Sequence, residues 1–204
     1  MGETGAMGRL YDSVDGRLAE FITRQPVFFV ATAPAGAEGH VNCSPKGNRD
    51  ELVVLDDHTV AYLDLTGSGI ETVAHLRDNG RIVLMFCSFE GPPRIVRLHG
   101  QGRVVTTDEP DFAELASHFP ARMASRSVVV VSVTRVSDSC GYGVPLMSFQ
   151  GHRSQMDEWA ARKGPDGIVA YWEEKNLLSV DGLPGLATGP GSGRGSPDRA
   201  ATAT

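Results

Sequence analysis

The sequence lacks the features that mark several large classes of protein. Only three cysteines occur in 204 residues, Cys43, Cys87 and Cys140. An odd number without paired spacing argues against a disulfide framework. No C-x-x-C motif is present, so the usual signature of a zinc site is missing. We therefore expect neither a disulfide scaffold nor a metal centre.

Basic clusters and long apolar runs are also scarce. The net charge is −6, from 19 Lys and Arg against 25 Asp and Glu. Without a run dense in Lys or Arg, nucleic acid is not expected as a partner. The most β-branched run, residues 127–136, has only the length of a strand and is too short to cross a bilayer. The first eight residues lack the pattern of a signal peptide, so we expect a cytoplasmic protein.

The remaining composition is that of a globular domain. Hydrophobic residues make up 41% of the chain, enough for one domain with a real core. Hairpin-spaced strands with helices between and outside them predict an α+β fold built on a six-stranded antiparallel split barrel. The strands are expected at residues 27–33, 40–44, 52–55, 59–64, 81–87, 94–106 and 127–136, and the helices at residues 12–24, 70–79, 110–119, 152–163 and 167–175. Ser13 is the expected cap of the first helix.

Residues 61–76 read as a strand, a Gly-rich turn and the start of a helix. Gly67 and Gly69 flank Ser68, which lets the backbone turn and come close to a ligand. The start of a helix offers unpaired N–H groups and the positive end of a dipole, so it can hold a phosphate. The alternative is an ordinary strand-to-helix turn, because a short Gly-rich turn is a weak signal alone.

A second stretch, residues 40–47, ends a predicted strand with Ser44, Lys46 and Gly47. Lys46 can offer a point charge to a phosphate and Ser44 a hydroxyl. A strongly apolar strand, residues 81–87, follows the helix directly. Over about residues 15 to 137 this order of motifs resembles the pyridoxamine 5'-phosphate oxidase-like family, the FMN-binding split barrels.

The resemblance implies an FMN-dependent oxidoreductase acting on a small molecule, with the cofactor laid against adjacent strands. It also implies a homodimer with the cofactor at the subunit interface. By position, three groups of residues would border the cofactor: Asn42, Cys43, Ser44 and Lys46 from one strand, Tyr62, Leu63 and Asp64 from the next, and Ser68, Gly69 and Thr72 at the helix start. Arg97 could bind an anion of the cofactor or of the substrate.

The resemblance divides the chain into four expected regions. Residues 9–137 would form the FMN-binding split barrel, and residues 138–182 a C-terminal loop and helices packing on it. Residues 1–8 and the Gly-, Pro- and Ser-rich residues 183–204 are expected to be disordered.

One departure from the family pattern concerns the phosphate. Pyridoxamine phosphate oxidases carry an Arg-Lys pair at the start of this helix, where the sequence has Glu71 and Thr72. Lys46, Arg49, Arg94 or Arg97 would then have to compensate. The departure leaves open a non-catalytic ligand-binding protein on the same scaffold, or a deazaflavin (F420)-dependent reductase. The substrate and the electron donor are not indicated by the sequence.

Two further candidates come from the region after the last strand. Residues 139–145 form a Gly-rich loop that could fold over a flavin ring with Tyr142 stacking on it; the alternative is a structural loop. Cys140 and His152 could form a nucleophilic pair, but no Cys-protease signature surrounds them.

Overall fold

The computed structural model describes residues 8–47 and 49–186. The predicted disordered residues 1–7 and 187–204 lie outside this range. The elements, numbered in chain order, are strands β1 (Leu10–Tyr11), β2 (Val27–Thr32), β3 (Asn42–Gly47), β4 (Leu52–Asp56), β5 (Thr59–Leu65), β6 (Arg81–Cys87), β7 (Ile95–Thr106) and β8 (Ser125–Ser139), and helices α1 (Gly16–Arg24), α2 (Glu71–Asn79), α3 (Phe112–Ala116) and α4 (Gln155–Lys175), with a short 3-10 helix at Arg49–Glu51.

The strands form one antiparallel sheet in the order β3-β2-β6-β7-β8-β5-β4, and β1 pairs with the end of β8. This arrangement confirms the predicted α+β fold with an antiparallel split barrel. The expected count of six strands is wrong. Each of the seven expected strand ranges forms a strand of this sheet, which makes seven along it. The two residues of β1 are too few to show an alternating pattern in the sequence.

Alternation along the strands separates the inside of the barrel from the outside. On β2 and β6, the inward residues Phe28, Val30, Leu84 and Phe86 are fully buried or nearly so. Their sequence neighbours point outward and are half-buried. Since side chains alternate with a period of two, the register of each strand decides which candidate residues reach the interior.

Helix α1 closes one side of this core. It buries Leu18, Phe21 and Ile22. The predicted start at residue 12 with Ser13 as cap is wrong, because the Asp15 carboxylate accepts the Leu18 N–H at 2.9 Å and the helix begins at Gly16. An aspartate in this position satisfies one of the unpaired N–H groups of the first turn.

Helix α2 follows the Gly-rich turn as predicted and stops at Gly80. Gly80 has a left-handed backbone with φ of 72°, and its N–H donates to the Leu76 carbonyl. This is the usual C-terminal stop, which a side chain would strain. The β6–β7 and β7–β8 pairings then bring Gly102 against the Leu76 side chain, so that a Cβ at this position would lie 2.8 Å from it.

The C-terminal part contains two helical stretches, as predicted at 152–163 and 167–175. Both lie within α4, and Gly164, whose backbone is not helical and has φ of 65°, separates them. Residues 176–186 then turn back along α2. Residues 183–186 fall in the tail predicted to be disordered, yet Leu186 is buried and its N–H donates to the Asn176 carbonyl at 2.8 Å.

Candidate functional site

The register of β3 turns three of the predicted site residues toward the barrel interior. Asn42, Ser44 and Lys46 pair with Thr32, Val30 and Phe28 of β2, and paired residues share a face of the sheet. Cys43 lies between them, faces outward and is exposed. The Ser44 hydroxyl donates to the Asn42 side-chain oxygen at 3.0 Å. A polar row therefore runs along the inner side of this edge strand, with Lys46 at its end.

Lys46 meets a buried carboxylate from β5. Its ammonium group lies 2.7 Å from one oxygen of Asp64, and the Arg126 guanidinium lies 2.8 Å from the other. Ser127 also donates to Asp64, at 3.3 Å. Burial alone raises the pKa of Asp64, but the positive charges of Arg126 and Lys46 outweigh it and hold the pKa well below the usual range. The three charged groups together carry a net charge of +1.

Arg126 also fixes the Gly-rich turn between β5 and α2. It donates to the carbonyl of Gly69 at 2.9 Å and to the side-chain oxygen of Asn176 at 3.0 Å. Asn176 in turn donates to the Gly67 carbonyl at 2.9 Å. Both side chains are almost wholly buried. Arg126 and Asn176 therefore fix, by hydrogen bonds to its carbonyl groups, the turn that was predicted to bind a phosphate.

A second polar cluster connects β2, β3 and α2. The Asn42 amide donates to the Thr72 hydroxyl at 3.0 Å, and the Thr32 hydroxyl lies 3.0 Å from Nδ1 of His75. His75 has no exposed surface, and its Nε2 has no hydrogen-bond partner among the residues described. Burial lowers the pKa of His75. This cluster is neutral, unlike the ion cluster around Asp64.

Other predicted site residues lie apart from both clusters. Tyr62 is fully buried in the barrel core, and the Lys46 ammonium lies 5.9 Å from its ring centroid. Leu63 points the other way, into a cluster with Phe119 beneath α3. Arg97 lies on the outer face of β7 and donates to the Ser139 hydroxyl at 3.1 Å. Cys43 shares this outer face, whereas Asn42, Ser44 and Lys46 face the interior.

The start of α2 carries a negative rather than a positive side chain. One Glu71 carboxylate oxygen lies so close to Gly69 that a Cβ there would be 2.3 Å from it, and the other oxygen accepts the Val180 N–H at 3.2 Å. The chain after α4 passes over this point, and Asp181 of that segment binds the ring and the N–H of His40. Ser68 and Gly69 themselves are exposed.

A cavity of about 500 Å³ opens between the ends of β3 and β5, beside Lys46. The Lys46 side chain is 17% exposed and borders it. Of the cofactor-bordering residues predicted from the sequence, Lys46 is the one that lines this cavity in the described part of the chain. The other lining residues are Pro26, Pro45, Gly47, Glu51, Leu65, Thr66, Gly67, Phe149, Gly151, His152, Arg153, Gln155 and Met156.

A larger open groove of about 1420 Å³ adjoins this cavity. The two share Pro26, Phe149, Gly151 and Arg153. Its other walls come from the end of α1, from the β6–β7 turn at residues 88–94 and from residues 147–150. The volume of the cavity suits a small organic ligand, and the Lys46 ammonium at its border favours an anionic group.

Comparison with known proteins identifies the family. A family profile described as pyridoxamine 5'-phosphate oxidase matches residues 14–140, more than half of the chain. The chain belongs to this family. A curated family member, the pyridoxamine 5'-phosphate oxidase family protein ustO of Aspergillus flavus, is 37% identical over 194 residues, covering 86% of this chain and 77% of that protein.

Solved structures of lower sequence identity also match. HupZ of Group A Streptococcus is 22% identical, with 60% of this chain and 90% of that chain covered and a TM-score of 0.46. An FMN-binding protein from Syntrophomonas wolfei is 15% identical, with 60% and 86% covered and a TM-score of 0.44. A FAD-binding protein from Mesorhizobium loti is 13% identical, with 64% and 96% covered and a TM-score of 0.45.

Several residues that fix the Gly-rich turn beside the cavity were not predicted from the sequence. Arg126 and Asn176 fix the Gly-rich turn, and the Trp172 indole donates to the Thr66 hydroxyl at 2.9 Å beside it. The one available signal was the charge of Arg126 inside the most β-branched strand. A charged residue at such a place is seldom buried without a partner.

Two predictions concern the loop after β8. Tyr142 is 83% exposed, and its stacking on a flavin ring stays a prediction. His152 packs on Phe149, with ring centroids 4.8 Å apart, rather than on Cys140, which is exposed. No helix in the described residues is long and apolar enough to span a membrane.

Proposed function

We propose that this protein is an FMN-dependent oxidoreductase acting on a small molecule. The observation that carries the proposal is the cavity at the ends of β3 and β5, bordered by the partly exposed ammonium group of Lys46 in a member of the pyridoxamine 5'-phosphate oxidase family.

The donor set of the cavity fits the phosphate of FMN. An ammonium group has three N–H donors, and Asp64 accepts one from Lys46, which leaves two for a ligand. Arg153 and His152 line the same cavity. Arg126 does not line the cavity, is 4% exposed, and donates through Nε and Nη1 to Asp64, Gly69 and Asn176, so we do not count it among the phosphate ligands.

The start of α2 does not fit a phosphate. The Glu71 carboxylate lies there, and two negative groups repel each other. The segment after α4 also occupies this place, since the Val180 N–H donates to Glu71. We therefore propose the cavity beside Lys46, rather than the turn at Ser68 and Gly69, for the phosphate.

The protein's own residues would bind and orient the cofactor rather than take part in proton transfer. A bound flavin supplies the redox chemistry, accepting electrons from a donor and passing them to oxygen or to a small organic acceptor. Asp64 and Arg126 fix the direction of the Lys46 side chain. The groove also carries the apolar side chains Phe89, Pro92 and Met147, which would contact the apolar part of a substrate.

A second copy of the chain is the proposed partner. The outer face of the sheet carries Phe29, Ala31, Val83 and Met85 side by side on β2 and β6. All four are half-buried, and none joins a hydrophobic cluster within the described residues. An apolar sheet face of this kind fits a dimer interface. Met85→Glu should convert a dimer to a monomer in light scattering, whereas a monomeric wild type would contradict the proposal.

A non-catalytic ligand-binding protein on the same scaffold is the second candidate. The observation that favours it is the carboxylate of Glu71 at the start of α2. Such a protein would bind a ligand at the cavity without turnover. The two candidates therefore differ in redox activity and not in the location of the site.

The test is anaerobic reduction of the FMN-loaded protein. The protein is mixed with FMN, freed of excess cofactor and then treated with NADH or NADPH, followed by oxygen or organic acceptors. Loss of the oxidised flavin bands on adding a donor, and their return with an acceptor, would support the oxidoreductase. Bound FMN that no donor reduces would favour the non-catalytic candidate.

A further inference from the structure

The segment after β8 brings an unpaired cation to the cavity beside Lys46. Arg153 lines both this cavity and the adjoining groove. It has no ion-pair or hydrogen-bond partner for its guanidinium among the described residues, in contrast to Arg94 and Arg122, which bind Asp138 and Asp157. A free guanidinium and a partly free ammonium that line one cavity are both groups that bind oxyanions.

The position of Arg153 is set by contacts of its own segment. The Met147 N–H donates to the Phe89 carbonyl at 2.9 Å, and the Phe149 N–H donates to the Glu90 carboxylate at 2.9 Å. Both partners belong to the β6–β7 turn. These two bonds fix the segment against the barrel just before Arg153, and α4 begins two residues after it.

The charges around the cavity favour an anion. Lys46 and Arg126 both form ion pairs with Asp64. Two cations and one carboxylate give this cluster a net charge of +1. Arg153 adds to it, and Glu51 is the one carboxylate residue that lines the cavity in the described part of the chain. The N–H groups at the start of α4, where Gln155 and Met156 line the cavity, add a favourable dipole.

We propose that Arg153 supplies, together with Lys46, the phosphate-binding cation that the start of α2 does not offer. The proposal deepens the proposed function and rests on it. The ligand group is a phosphate monoester, that of FMN, and free inorganic phosphate shares its chemistry. Arg153 is a binding residue here, with no role in the redox step.

The test compares FMN with riboflavin, which has the same ring but no phosphate. Dissociation constants are measured by flavin fluorescence quenching for the wild type, Arg153→Ala, Arg153→Lys and the control Arg162→Ala. Arg162 is also exposed, lies on α4 and does not line the cavity. Because Arg153 is exposed, its removal should leave the fold intact, which circular dichroism checks.

The expected result is a loss of about tenfold or more in FMN affinity for Arg153→Ala, with partial recovery in Arg153→Lys. Riboflavin affinity should stay within about twofold in every variant, and Arg162→Ala should match the wild type for both ligands. Inorganic phosphate should compete with FMN in the wild type and compete less in Arg153→Ala. If phosphate competes with FMN but the wild type and Arg153→Ala bind FMN equally well, the site binds free phosphate without Arg153. That result would overturn the proposal.

The failures of the two proposals are distinguishable. If the wild type binds FMN and riboflavin equally well, or if Arg153→Ala weakens both equally, the role of Arg153 is wrong and flavin binding stands. If the wild type binds neither flavin, the proposed function fails and this proposal fails with it.

Discussion

Asp64 of β5 and Arg126 of β8 form a buried ion pair, and Arg126 also contacts the Gly-rich turn before α2. The guanidinium Nε lies 2.8 Å from the Asp64 carboxylate, and both side chains are at most 4% exposed. The same guanidinium reaches Gly69 and Asn176. One side chain therefore holds together β5, the turn, and the chain that follows α4, all of which surround the proposed site.

Removing Arg126 should destabilise the protein strongly. Arg126→Met leaves a buried carboxylate with a single cation and frees two carbonyl groups, so we expect a loss of about 3–5 kcal/mol in the free energy of unfolding. Arg103→Met is the matched control, because Arg103 pairs with Asp111 on the surface, where such pairs contribute about 0–1 kcal/mol. Urea denaturation measures both. Equal, small losses would contradict the structural role of Arg126.

His75 should make the stability depend on pH on the acidic side of neutrality. Burial lowers its pKa in the fold from the ordinary value of 6.5. Below this pH the unfolded chain binds a proton that the folded chain does not, so stability is complete above about pH 6.5 and falls as the pH decreases, by at most about 1.4 kcal/mol per pH unit.

The measurement is the urea midpoint of unfolding at about pH 7.5 and about pH 5. The decrease should be smaller in His75→Gln, whose amide can still bond to the Thr32 hydroxyl but does not titrate. His118→Gln is the control, since His118 is exposed, and it should behave as the wild type. An unchanged pH dependence in His75→Gln would show that other groups are responsible.

The indole of Trp172 should contribute through its hydrogen bond to Thr66 at 2.9 Å. Trp172→Phe keeps an aromatic ring and removes the donor, so we expect a loss of about 1 kcal/mol beyond the loss in packing. Trp159→Phe is the control. The Trp159 indole packs edge-on against Tyr171 and makes no hydrogen bond in the described chain. Thermal unfolding should show the larger decrease for Trp172→Phe; a reversed order would contradict this assignment.

Lys46 and Glu71 should differ in their effect on FMN. Lys46→Gln removes a cation that borders the cavity and should weaken FMN binding by about tenfold. Glu71→Gln acts at the start of α2, away from the cavity lining, and should change the affinity by less than about twofold. Fluorescence titration measures both. A large gain in affinity for Glu71→Gln would place the phosphate at α2 after all.

Much of the fold followed from local patterns in the sequence. Strand β6 was predicted with the bounds that the structure has, because its residues form a continuous apolar run between Gly80 and a turn. Helix α2 was predicted within one residue, since Gly80 is a clear stop. Both hairpins followed from turn residues between alternating strands. These features depend on neighbours within a few residues.

The site depends on contacts between distant residues, which such patterns do not contain. Arg126 lies 62 positions after Asp64, and Asn176 lies 109 positions after Gly67. Arg153 reaches the cavity because the segment before it is fixed to the β6–β7 turn, about 60 residues earlier. Asp64 was predicted to border the cofactor, but the register buries it behind Lys46. The spacing of residues in the sequence does not show which side chains face each other.

The central claim is that the protein binds FMN at one site per chain. The most direct measurement is equilibrium dialysis of the purified protein against FMN, followed by gel filtration with absorbance recorded at the flavin bands. We predict saturation at one FMN per chain and flavin absorbance that elutes with the protein. FMN that elutes entirely apart from a folded protein, at concentrations far above those of cellular flavin, would contradict the account.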